Sequence, residues 1–244
     1  MDEKQSDVLK GFVSWTHKQP DDYEGELVCT LIGREDTADA KEAILYVHGF
    51  NDYFFQEALA EFFESQGKAF YALDLRKYGR SYLKHQGFND VRDLKEYDAD
   101  ILWALEYIKS RGHSHQLLMG HSTGGLVLSY FIGRNPLDTV RGLILNSPFF
   151  DFNFPDWFKA SLLPIANVLA IAFPKLRVPS GLPPYYGYSL HRDHFGEWEY
   201  NTDWKPHRVP PVRLSFVRAI HLAQQELRKD WKIPCPCLVL HSDR

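Results

Sequence analysis

Five residues, Gly120-His121-Ser122-Thr123-Gly124, have the types and spacing to do chemistry. They match G-x-S-x-G, a pattern in which a strand turns sharply into a helix and lifts a serine hydroxyl above a sheet. Gly120 and Gly124 have no Cβ, so strand and helix can approach where a larger side chain would clash. The amides of Thr123 and Gly124 open the helix, and a helix N-terminus favours developing negative charge. A serine hydroxyl is a weak nucleophile near neutral pH and needs a histidine base oriented by a carboxylate. A plain glycine-rich turn could be spelled with the same letters. The flanks decide against it: Gln116 to Met119 is an apolar run of buried-strand length, and Leu126 to Ile132 is helical.

The surrounding chain supplies a scaffold for such a turn. Residues 11–15 and 25–32 read as two strands joined by a polar turn around Pro20, Asp21 and Asp22. Residues 36–41 form a charged loop, and Ala43 to Val47 is a continuous apolar run, as expected of a strand covered on both faces. A helix is expected from Tyr53, with Phe54, Ala58, Leu59, Phe62 and Phe63 on one stripe and Gly67 as its stop. Ala69 to Leu73 is the next strand, followed by Asp74-Leu75-Arg76-Lys77-Tyr78-Gly79-Arg80-Ser81. After a polar loop at 82–90, Leu94, Tyr97, Ile101, Leu105 and Ile108 recur at helical spacing, and Val140 to Leu145 is another buried strand. Alternating apolar strands and amphipathic helices imply βαβ units and a mostly parallel sheet. Beyond Pro148 the alternation breaks. A nearly all-apolar helix is expected over Leu162 to Phe173, ordered loops and short turns over 183–204, a helix over Leu214 to Lys229, and a last strand over Pro236 to Leu240.

Composition excludes several classes of function. With 44% apolar and 15% aromatic residues in 244, the chain can bury a real core and is not disordered. A net charge of −4 argues against a nucleic acid bound through a basic face. Met1-Asp2-Glu3-Lys4 leads into no apolar segment of signal-peptide type, and Leu162 to Phe173 falls short of the ~20 residues that a membrane span requires, so a soluble cytoplasmic protein is expected. Cys235 and Cys237 flank Pro236 on one face of an extended segment, a weak zinc motif without a second pair. Together with Cys29 they are read as buried or half-buried structural thiols. No metal and no cofactor are expected.

Three segments together resemble an α/β-hydrolase with a cap, of the lysophospholipase, monoacylglycerol-lipase and serine-aminopeptidase-like branch. The first is the Ser122 turn. The second is His48-Gly49-Phe50, similar to the oxyanion-loop motif, with Asn51 where a glycine is often found. The third is residues 74–81, similar to D-x-R-G-x-G-x-S with Lys77 in place of the first glycine. The resemblance implies a mostly parallel central sheet flanked by helices, with core residues 1–148, a mainly helical cap insertion at 149–229 and a return to the core at 230–244. It implies Ser122 as nucleophile and the Phe50 and Thr123 amides as oxyanion donors, while His48 braces the oxyanion loop and His121 packs within the elbow.

In this fold the acid follows the nucleophile and the histidine comes last. Asp243 stands where the acid would be sought. No eighth strand or late histidine follows it. The simplest account the resemblance offers is a hydrolase truncated at its C-terminus, lacking its last strand and helix and weakly active at best as given for want of the base. A degenerate triad is the second account. His191, His194, His207, His221 and His241 are read as structural. Phe149, Phe150, Phe152, Phe154, Trp157, Phe158 and the apolar helix after them put apolar surface in the cap, which either lines a ligand groove or only glues cap to core. The first favours a carboxylic ester of a lipid or other apolar acyl group and allows transient contact with a membrane surface. An aminopeptidase-like amide hydrolase and a non-catalytic ligand-binding protein on the same fold are the alternatives.

Overall fold

The computed structural model describes residues 3–37 and 39–242. Strands β1 (Glu3–Ser6), β2 (Val13–Asp22) and β3 (Gly25–Gly33) are followed by β4 (Glu42–Val47), helix α1 (Glu57–Ser65) and β5 (Ala69–Asp74). Helix α2 (Asp98–Ser110), β6 (His115–His121), α3 (Thr123–Arg134) and β7 (Val140–Asn146) complete the alternating part. Then come α4 (Asp156–Ala172), β8 (Arg177–Val178), α5 (Pro184–Leu190), β9 (Val212–Arg213), α6 (Leu214–Leu227) and β10 (Cys237–Leu240).

Eight strands form one sheet in the order β1-β2-β3-β5-β4-β6-β7-β10, antiparallel from β1 to β5 and parallel from β5 to β10. The apolar runs are explained by burial on both faces. On β4, Ala43, Leu45 and Val47 face the larger core under α2, α3 and α6, while Ile44 and Tyr46 face a smaller core closed by α1. Register aligns the strand ends that matter: Val47 pairs with Gly120 and Gly120 with Leu145, so the segments after β4, β6 and β7 leave the sheet at one edge. The carboxyl edge of a parallel sheet is where open α/β folds place their ligands.

Several sequence expectations need correction. The helix after β4 begins at Glu57 rather than Tyr53, because the Asp74 carboxylate accepts the Phe54 amide at 2.9 Å and holds the preceding loop against β5. Phe54 is buried in that loop, and Phe62 is exposed. The turn expected around Pro20–Asp22 is carried within β2 by a register shift between Gln19 and Asp22, and the chain reverses at Tyr23 and Glu24. Helix α4 starts at Asp156, six residues before its apolar run, and α5 forms where a loop was expected, with Pro184 in the first turn. Cys237 is exposed, since every side chain of β10 is uncovered among the described residues. Helix α6 lies against α3 and α4, and its Phe216, Ala219, Ile220 and Ala223 enter the larger core. Among the described residues no helix is long and apolar enough to cross a membrane.

Candidate active site

Ser122 sits between β6 and α3 at φ 52 and ψ −116, a conformation costly for any residue with a Cβ. Its peptide groups are tied from several sides. The Ser122 amide donates to the Asn146 carbonyl at 2.9 Å, and its carbonyl accepts from Gly125, Leu126 and Phe149. The glycines on either side permit the crossing. A Cβ on Gly120 would lie 2.7 Å from the Gly124 carbonyl, and one on Gly124 would lie 2.3 and 2.4 Å from the carbonyl oxygens of Val47 and His48. Both neighbours are backbone and cannot rotate away. Gly124→Ala is therefore expected to force α3 from the end of β4, at a cost of about 1–3 kcal/mol read from the denaturant midpoint.

The oxyanion loop passes directly over the elbow: a Cβ on Gly49 would lie 3.2 Å from both Ser122 Cβ and His121 Nδ1. The Phe50 amide follows this crossing, and the Phe50 ring stacks on Phe216 at 5.5 Å. Thr123 is the first residue of α3, so its amide has no partner within the helix. His48 has both ring nitrogens engaged. The Leu75 amide donates to Nε2 at 3.2 Å, so Nδ1 carries the hydrogen and donates to the Gly49 carbonyl at 2.8 Å.

The two departures from the family pattern share one explanation. Asn51 and Lys77, each standing where a glycine is usual, have φ of 51 and 65. Asparagine tolerates this left-handed region with little cost. Lysine does not, and Lys77 is held there by buried contacts to Asp22 at 2.6 Å and Glu24 at 2.9 Å. The rest of residues 74–81 braces the loops below the site. Asp74 accepts from the Phe54 and Arg80 amides and from Arg80 Nη1, the Ser81 hydroxyl donates to the Asp74 carbonyl, and Arg76 forks onto Asp100. A Cβ on Gly79 would meet Asp74 Oδ2 at 2.4 Å, which is why that glycine is needed.

Asp243 lies outside the described residues. Among the described residues no side chain hydrogen-bonds the Ser122 hydroxyl. His191 and His194 each lie 5.1 Å from the His207 ring, and Tyr200 joins this group through contacts to His191 and His207. His221 meets Asn167 at 3.0 Å, and His241 meets the Ser242 carbonyl at 2.7 Å. His121, beside Ser122, has its Nδ1 3.9 Å from Asp52 Oδ2, and burial lowers its pKa against the pull of Asp52. The sequence reading missed Asp52 and Lys205, a buried ion pair of 2.7 Å formed across 153 residues. No periodic or local pattern could have signalled it.

A mostly parallel sheet with a serine held in the left-handed turn between a central strand and a buried helix defines an α/β-hydrolase fold. Within that class, the chain belongs to the family described as serine aminopeptidase, S33 (Hydrolase_4), whose profile matches residues 38–244. It is 26% identical over 191 residues to the bifunctional esterase/perhydrolase DCH of Acinetobacter calcoaceticus, covering 75% of this chain and 66% of that protein. The alignment thus spans just under two thirds of that relative's length. Among solved structures, a soluble variant of monoglyceride lipase from Saccharomyces cerevisiae in complex with a substrate analog superposes with a TM-score of 0.63 at 18% identity, covering 98% of this chain and 76% of that one. The monoacylglycerol lipase of Paleococcus ferrophilus gives 0.61 at 19% identity over 93% of this chain and 76% of that one. At these identities the structural likeness concerns the fold.

Proposed function

We propose that the protein hydrolyses carboxylic esters of lipid or other apolar acyl groups through an acyl-enzyme formed on Ser122. The observation that carries this reading is the Ser122 backbone at φ 52 and ψ −116, beneath an oxyanion loop that passes so close that a Cβ on Gly49 would lie 3.2 Å from Ser122 Cβ. Ser122 attacks the ester carbonyl, and the Phe50 and Thr123 amides receive the negative charge that develops on its oxygen. A histidine oriented by a carboxylate takes the Ser122 proton, with Asp243 as the candidate acid.

The apolar substrate class is supported by α4 and the turn after it, where Trp157, Val168, Ile171 and Phe173 are 68%, 67%, 69% and 61% exposed. Exposed apolar side chains gathered on one element suit a ligand groove or a lipid contact. We assign residues 149–229 to a cap over the site, touching membrane surfaces transiently from the cytoplasm, and the three unpaired cysteines fit a reducing compartment. Names of relatives point the same way, one an esterase/perhydrolase and others monoacylglycerol lipases. The family description favours a second reading, cleavage of amino-acid amides.

A p-nitrophenyl ester series from acetate to decanoate, set beside aminoacyl p-nitroanilides, tests the reading on the full-length protein. If the acyl pocket excludes water, kcat/KM is expected to rise with chain length by up to ~0.8 kcal/mol for each buried methylene. A flat or falling series with good turnover of the anilides favours the amide reading. Binding of long acyl esters without turnover of either set favours a non-catalytic ligand cup.

A further inference from the structure

We propose that residues 201–206 form a positioning latch on the oxyanion loop, centred on Lys205, which sets the Phe50 amide against the oxygen of the reacting carbonyl. The proposal rests on the assignment of Ser122 as nucleophile. Three consecutive loop residues after Phe50 are each gripped by this one segment. The Asn51 side chain donates to the Pro206 carbonyl at 3.1 Å, Asp52 binds the Lys205 ammonium at 2.7 Å, and the Tyr53 hydroxyl accepts the Asn201 amide at 2.7 Å.

The chemistry of the latch is unlike ordinary packing. Lys205 and Asp52 are 5% and 3% exposed, so two charges have been taken out of water. Apolar residues of the same volume would hold two segments together at least as well. What an ion pair adds is a fixed distance and direction. That direction matters here because Asn51, in the left-handed region at φ 51, is the residue next to Phe50, so fixing its backbone limits how far the Phe50 amide can move. The second Asp52 oxygen lies 3.9 Å from His121 Nδ1, on the residue before the nucleophile. One carboxylate therefore binds the overlying segment to the oxyanion loop and lies beside the elbow. A shift of the Phe50 amide by about 1 Å would cost on the order of 10²-fold in rate.

Inactivation by a fluorophosphonate, resolved into kinact and KI on the full-length protein, tests the latch. Lys205→Met is expected to lower kinact by roughly 10–100-fold while KI stays unchanged, since the ligand still binds and only the oxyanion donor is displaced. Because this variant leaves Asp52 unpaired, the double variant Asp52→Asn/Lys205→Met removes both charges and is expected to show a similar fall. Lys205→Arg restores most of the rate. Arg192→Met, which breaks an exposed pair with Glu199 in the same region, leaves kinact unchanged.

A folded Lys205→Met or double variant with the parent kinact overturns the proposal. So does failure of both to fold while Lys205→Arg folds, because the pair would then be structural. Failure of the underlying reading is seen separately: a Ser122→Ala variant that still reacts removes the nucleophile, and the latch with it. A latch that fails alone leaves Ser122→Ala unreactive and Lys205→Met fully reactive.

Discussion

Ser122→Ala is expected to abolish fluorophosphonate labelling and to lower ester turnover on the order of 10⁶-fold, the loss seen when a serine nucleophile is removed from this type of machinery. Alanine has no group to form the acyl bond. The oxyanion amides alone would leave a residue of roughly 10³–10⁴-fold over water. The fold should survive, because the turn is held by its peptide groups: the Ser122 amide donates to Asn146, and the Ser122 carbonyl accepts from Gly125, Leu126 and Phe149. Alanine keeps the cost of a Cβ at φ 52, whereas glycine removes it. Ser122→Gly should therefore be as inactive as Ser122→Ala, yet more stable than it by about 1 kcal/mol in denaturant unfolding. Labelling that persists in the alanine variant would take Ser122 out of the role. Equal stability of the two variants would mean that the turn is not strained.

The second large effect lies away from the nucleophile. Lys77→Ala is expected to cost about 3–5 kcal/mol, since it leaves Asp22 without its cation and Glu24 with Arg213 alone. The Lys77 ammonium is fully buried between Asp22 at 2.6 Å and Glu24 at 2.9 Å. Glu24 also binds Arg213 at 2.6 Å, and Arg213 reaches Asp90 at 2.9 Å, so the hairpin between β2 and β3 is tied to the start of α6. Lys77→Gly should be less damaging by about 1 kcal/mol, because glycine relaxes the backbone at φ 65 while losing the same charge.

The same network predicts an acid limb in the stability profile. Burial alone would raise the Glu24 pKa, but hydrogen bonds from Lys77, Arg213 and the Gly87 amide outweigh it and bring it from 4.5 down to about 2. Between those values the unfolded chain binds the extra proton and the folded chain does not. The stabilisation is therefore complete above pH 4.5 and is lost as the pH falls toward 2. Denaturant midpoints across this window should fall in the parent and flatten in Lys77→Ala. A variant with the parent slope would mean that Lys77 does not hold the carboxylate.

Much of the fold could be read from the sequence because the signals for it are short in range. A strand buried on both faces is a run of apolar residues such as Ala43 to Val47, and an elbow needs small residues within five positions of each other. The Ser122 turn, the strands beside it and the helices α2, α3 and α6 were expected on that basis, and they are present. The start of α1 was misjudged for a reason that is not local: Asp74, twenty residues on, captures the Phe54 amide and delays the helix.

By itself the sequence determined a parallel α/β sheet, a serine on a tight strand-to-helix turn and the family to which such a turn belongs, since each of these is a property of neighbouring residues. Only the tertiary structure decided what Asn51 and Lys77 mean. In the sequence they are two missing glycines. Folded, both occupy the left-handed region that those glycines would have filled, one by virtue of its own side chain and the other through Asp22 and Glu24. The pairing of Asp52 with Lys205 across 153 residues likewise belongs to the folded state alone. A contact between residues that far apart leaves no periodic trace, because its partners become neighbours only when the sheet, the oxyanion loop and the segment above them have closed on one another.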